Sequence, residues 1–233
     1  YIKTLILLSF TASVVGFYFL YRLLKQTNNL FSNQQPTSFS LSEIIAFKDR
    51  YHSKSIFIVD GLFLFLESYF WVLTLYMLTK ENLMKLGLLI VILSVLLAII
   101  FFVIKRVIDK VNAQRIFIIS IFGYALSWFL RGELTPQASD ISLYGGMLLI
   151  AFLSSFFRLA FNKRFYDIAS SERPIYYILC KSYYSQFMII IFFSLIALLA
   201  PIGTDPLNQL QILYYLAIPI VFVYFLYGHQ KPR

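Results

Sequence analysis

The chain has 233 residues, 60% hydrophobic, 19% aromatic and only 13% charged, with a mean hydropathy of +0.76 and a net charge of +9. Soluble domains carry about a quarter charged and under half apolar residues, so a water-soluble domain is excluded and the solvent is lipid. The cationic excess does not indicate nucleic acid, because no basic soluble domain is present to bind it; it suits contact with the lipids of an anionic inner leaflet.

A bilayer core of about 30 Å requires about 20 mainly apolar residues per helix. In chain order, the sequence predicts helices at Leu5 to Leu24, Ile56 to Leu78, Met84 to Ile104, Ile116 to Leu130, Ile141 to Phe161, Tyr183 to Ile202 and Leu210 to Tyr227. None of these runs alternates apolar and polar residues as a lipid-facing barrel strand does, so the expected class is an all-α polytopic membrane protein with seven transmembrane helices. The first run is too long for a signal peptide and lacks a small-residue cleavage site before Arg22.

Between the first two helices lies the one long loop. Its first part, rich in Asn, Gln, Ser and Thr up to Ser38, reads as mobile. From Ser40 the pattern changes: Ser40 and Glu43 have capping-box spacing, and Ile44, Ile45, Phe47 and Tyr51 can share one face opposite Lys48, Asp49 and Arg50. That pattern predicts a short helix lying on the inner membrane surface, with a solvated linker helix as the alternative. A second basic and aromatic loop is expected from Asn162 to Pro174, at the headgroup level. Pro174 suits the first turn of a sixth helix that begins before the hydrocarbon.

The cations sort by loop. Arg22, Lys25, Lys48, Arg50 and Lys54 fall in the first link. Lys105, Arg106, Lys110 and Arg115 fall between helices three and four, and Arg158, Lys163, Arg164, Arg173 and Lys181 fall around the link between five and six. With Lys231 and Arg233 in the tail, these are sixteen of the twenty Lys and Arg; Lys3, Lys80, Lys85 and Arg131 remain on the other side. Cytoplasmic loops carry the excess of Lys and Arg, which places the N-terminus outside and the C-terminus inside. The division expected is 1–25 as a first membrane helix, 26–55 as a cytoplasmic loop with a short amphipathic helix, and 56–233 as a six-helix bundle. A start at Tyr1 on the outer side is what part of a longer chain would show. The single cysteine, Cys180, forms no internal disulfide, and no Asn-x-Ser/Thr sequon occurs. Both suit a bacterial inner membrane.

Signatures of enzymes are lacking. There are two histidines, His52 and His229, and no zinc-ligand spacing, paired-glycine phosphate loop or nucleophile elbow; no catalytic residue, metal or cofactor is assigned. The outliers are Asp60 and Glu67 in the second helix. A carboxylate within a membrane span is costly and is a functional hypothesis by default. Seven residues are nearly two turns, so both acids fall on roughly one face, about 10 Å apart along the axis. With Tyr69 and Trp71 nearby, they are candidates to line a solute or proton cavity, with Arg158 as a candidate ion-pair partner. Desolvation favours the neutral form of a carboxylate, as a proton carrier at Glu67 would require. Arg131 is expected simply to end the fourth helix. Gly123, Gly145 and Gly146 are expected at close helix contacts, and Pro219 is expected to kink the seventh helix.

The segment from Lys105 to Arg115, with Asp109 followed by Lys110, a turn residue at Asn112 and a base at Arg115, resembles the cytoplasmic loop motif of the major facilitator superfamily. Lys105 and Asn112 stand where that family has glycines; Asn tolerates the left-handed turn. The order of elements is similar too: one helix, a long loop from Gln26 to Ser55, then six helices. Ile58-Val59-Asp60-Gly61-Leu62 and Lys163-Arg164-Phe165-Tyr166 also look like second-half features of bacterial members. The resemblance implies a secondary active transporter that moves a small solute by alternating access. It also implies a first transporter half as partner, and a charge latch formed by Asp109, Lys110 and Arg115. The alternatives are a complete seven-helix receptor and a non-transporting scaffold subunit. A retinal protein is excluded, because the seventh helix has no lysine.

Overall fold

Residues 40–49, 51–108, 113–171, 173–199 and 206–228 are described by the structure, a computed structural model. The first expected helix, Leu5 to Leu24, and the polar part of the long loop lie outside them, as do Asp109 and Lys110 of the latch motif.

The described elements are helical, without strands. We number them α1 (Leu41–Ile45), α2 (Ser53–Leu78), α3 (Leu83–Ile108), α4 (Ala113–Glu133), α5 (Asp140–Ser171), α6 (Pro174–Leu199) and α7 (Pro206–Gly228). Those from α2 to α7 are long and apolar enough to cross a membrane, and the chain is read accordingly as a multi-pass membrane protein. Two helices change winding along their length. Helix α2 passes through a π-helical stretch, Leu66–Phe70, and α7 passes through a 3-10 stretch, Phe222–Tyr224, shortly after Pro219. Proline lacks the N–H that would continue the ladder, so α7 is without the bond from position 219 back to the Tyr215 carbonyl.

The main core joins α2, α4, α5, α6 and α7 through rings. Phe63, Tyr124, Trp128, Phe157, Tyr214 and Tyr224 are fully buried there. Helix α2 packs along α6, and α4 packs between α5 and α7. A smaller cluster of Leu75, Leu86, Leu134 and Met147 closes the bundle near the α2–α3 and α4–α5 links. Helix α3 touches mainly α5 and the end of α2, and most of its apolar side chains stay exposed. That is the expected state of a helix hydrophobic all round when its solvent is lipid.

The fifth helix extends well past Phe161. Residues assigned to a headgroup-level loop continue as α5 to Ser171, with Phe161, Phe165, Ile168 and Ala169 buried and Asn162, Tyr166 and Asp167 exposed. This is an amphipathic continuation at helical spacing, and no proline interrupts it before Pro174. The sixth helix begins at Pro174, well ahead of its most apolar run.

The short loop helix is a single turn strapped onto the bundle. Tyr176 Oη donates to the Glu43 carbonyl at 2.7 Å, and Tyr184 Oη donates to the Ile44 carbonyl at 2.9 Å. Ile44, Phe47 and Tyr51 are buried there, whereas Ile45 is exposed and does not share their face. Helix α1 therefore docks on α6 through its own carbonyls. Just beyond it, the Asp49 carboxylate accepts from the Ser53 N–H at 2.9 Å. Ser53 Oγ meets Tyr177 Oη, which lies 2.7 Å from Tyr227 Oη. Three helices, α2, α6 and α7, thus converge on one chain of hydroxyls with the Asp49 carboxylate at its end.

Glycine matters most where the sequence did not single it out for packing. A Cβ at Gly61 would stand 2.6 Å from Ser185 Cα, so α2 and α6 cross there backbone to backbone. Gly123 and Gly146 also face neighbours, Leu153 and Leu134, but Gly145 has nothing within 4 Å and makes no close helix contact. Gly61→Ala is therefore expected to destabilise the bundle by about 1–3 kcal/mol, since backbone cannot yield as a side chain can. Gly145→Ala should leave stability unchanged or slightly raised. Thermal unfolding of the two purified variants in one detergent compares them directly.

Candidate functional site

Five ionisable side chains from four helices meet inside the bundle. Asp60 and Glu67 come from α2, Arg131 from α4, Arg158 from α5 and Lys181 from α6. Arg158 is the centre. Its Nη1 donates to Asp60 Oδ1, while Nε and Nη2 donate to Glu67 Oε2 at 3.0 and 2.8 Å. One guanidinium therefore spans both acids, which needs the planar, five-donor fork that only arginine has. Nearly two turns of α2 separate the acids, so they fall on one side of the helix and within reach of a single partner.

Asp60 is fully buried and has three neighbours of its own. Besides Arg158, Tyr224 Oη donates to Oδ1 at 3.1 Å, and Lys181 Nζ lies 3.2 Å from Oδ2. Glu67 is 18% exposed and sits in the π-helical stretch; its Oε1 lies 3.5 Å from Arg131 Nη2. Both irregular windings in the bundle thus carry site residues, Glu67 in one and Tyr224 in the other. Single π turns inside α-helices recur at functional sites.

Arg131 does not merely end the fourth helix. Its side chain is 2% exposed. Nη2 donates to Ser154 Oγ at 2.8 Å, and the guanidinium lies 4.0 Å from the centre of the Trp128 ring and 5.1 Å from that of Trp71. Trp71, expected at a cavity, is placed here as a wall for Arg131. Desolvated contacts of this kind contribute about 2 kcal/mol each. Its place at the end of an apolar run made this arginine look like a terminus; apart from Trp128, its neighbours come from other helices and leave no mark in its own sequence.

Several expectations about the charges need correction. Tyr69 is 62% exposed and packs on Phe65 and Phe193. Two residues on from Glu67, it projects from another side of α2 and does not join the network. Arg158 and Lys181, sorted with the link between the fifth and sixth helices, are helix residues committed to carboxylates. Arg164 is also buried, donating from Nε to the Tyr227 carbonyl at 3.1 Å. With Arg131 removed from the other side as well, the loop asymmetry keeps its direction. Arg115 is exposed on the first turn of α4.

The network opens onto a groove of about 910 Å³ between α3 and α5, lined by Glu67 and Arg158 and by Ser94, Ser154, Ser155, Asn162 and Lys163. Aliphatic and phenyl groups of α3, among them Leu97 and Phe101, form the opposite wall. Among the described residues, no three His, Cys, Asp or Glu side chains gather into a metal-binding group. No family model matches the chain, and no curated protein or solved structure shows significant similarity to it.

Proposed function

We propose that the chain is the helix-bundle part of a secondary active membrane transporter of the major facilitator type, which moves a small solute by alternating access. The observation that supports this reading is the ion network itself. Five charged groups at the centre of apolar, membrane-length helices would be costly as mere packing, and hydrophobic replacements of similar volume commonly stabilise as well or better. Here the charges tie four helices together through the two acids of α2 and reach a groove that carries serine and asparagine side chains. Such a linkage can break and re-form as helices shift, which a carrier requires and a passive scaffold does not.

Glu67 is best read as a solute-responsive counter-ion. It is held by two guanidiniums rather than left alone in an apolar setting, so the network supplies no isolated proton-carrying carboxylate. A coupling proton, if one is used, would have to displace Arg158 from it. In the proposed carrier, the bundle works with the other half that the resemblance implies, and the cation-rich loops face the cytosol. The observable consequence is two-sided access: a cysteine placed on the groove floor is reached by impermeant reagents from either face of the membrane.

A further inference from the structure

We propose that the solute is a small anion carrying a carboxylate or phosphate group, recognised through Arg158 in the groove beside Glu67 and through Arg131 behind it. This rests on the carrier reading and names its substrate class. Two observations lead there. The first is charge: the network holds three cations, Arg131, Arg158 and Lys181, against two carboxylates, Asp60 and Glu67. A residual positive charge inside an apolar bundle is costly, and one further negative charge neutralises it.

The second is the pattern of unmet hydrogen bonding. Asp60 Oδ2 and Glu67 Oε1 lack an aligned hydrogen bond, but each lies beside a cation, Lys181 and Arg131 respectively. The groups left without any acceptor are donors: Arg131 Nε, Arg131 Nη1 and Trp128 Nε1 at the network, and Arg164 Nη2 away from it, all buried. The first three belong to two side chains stacked on each other. Buried donors are nearly always satisfied, and a guanidinium fork matches the paired oxygens of a carboxylate or phosphate. Ser154 lines the groove and accepts from Arg131 Nη2, so this pair lies one side chain behind the groove wall. A neutral solute would leave the positive excess in place, and a cationic one would add to it.

The chain carries its own reporter. It has two tryptophans, Trp71 and Trp128, and both rings face Arg131. Intrinsic fluorescence of the full chain in lipid nanodiscs would be titrated with acetate, lactate, benzoate, octanoate, inorganic phosphate, glucose and ethanolamine. The expected result is a saturable change with one or more anions and none with glucose or ethanolamine. Comparing the carboxylates with phosphate identifies which anion chemistry is used. Arg131→Gln should weaken half-saturation about thirtyfold or more, and Arg131→Lys, which keeps the charge, should retain a weakened response. No saturable response to any anion, or a response to glucose or ethanolamine alone, would overturn the assignment; this comparison on the unmodified chain stands even if Arg131→Gln does not fold. Anion binding with a groove reachable from one face only would retain this inference and reject the carrier. Two-sided access with a response to neutral or cationic solutes alone would do the reverse.

Discussion

Replacing Arg158 by glutamine is expected to cost about 3–5 kcal/mol of stability, the range found when one partner of a buried ion pair is removed. The loss is large because one side chain satisfies two acids. Asp60 keeps Lys181 and Tyr224, and Glu67 keeps Arg131, at 3.5 Å, with the Tyr124 hydroxyl beside it. Arg158→Lys should fall between wild type and the glutamine variant, because a single ammonium holds the charge but cannot span both carboxylates. The diagnostic variant removes all five charges together: Asp60→Asn, Glu67→Gln, Arg131→Gln, Arg158→Gln and Lys181→Met. If the cost arises from stranded charge, this variant unfolds at a higher temperature than Arg158→Gln alone, a non-additive result that neighbours in one network should show. Additive losses would mean that Arg158 acts through packing. Thermal unfolding of the purified variants in one detergent reads all of these.

The second large effect is expected at Asp60. It is fully buried and takes contacts from α5, α6 and α7. Asp60→Asn leaves Arg158 and Lys181 facing a neutral amide, and Glu67 becomes the only acid left for three cations. A loss of about 3 kcal/mol is expected. Removing Lys181 at the same time should return part of it, so Asp60→Asn with Lys181→Met is predicted to be more stable than Asp60→Asn alone. Glu67→Gln should cost less, because Glu67 is partly exposed at the groove and solvent or lipid headgroups can screen what remains. An order of stability that places Glu67→Gln below Asp60→Asn would contradict the placement of the two acids.

Much of this was legible in the chain because membrane solvent simplifies the code. Each apolar run longer than the hydrocarbon is thick had to become a helix, and every such run among the described residues did. Two acids inside one run were visible as anomalies, and their seven-residue spacing already placed them on a common face. The helix ends were harder to read. Polar residues from Asn162 to Ser171 resemble a loop by composition, yet their buried positions repeat at helical spacing, and that periodicity was the available signal. Arg131 and Lys181 were hidden for a related reason: a cation near the end of an apolar run looks like an interfacial anchor, and only neighbours from other helices show it to be paired. The close crossing at Gly61 depends on Ser185, more than a hundred residues away, and has no local signature at all.

In the proposed carrier, the groove beside Glu67 and Arg158 opens alternately to the two faces of the membrane. Ser155 lines that groove and takes no part in the ion network, and the chain's single cysteine, Cys180, is buried and can be replaced by serine. In that background, Ser155→Cys would be treated with a membrane-impermeant maleimide in sealed vesicles of each orientation. The account predicts labelling from both faces, lowered on both when Arg158→Gln removes the linkage that the movement uses. Labelling confined to one face, or none from either, would contradict it.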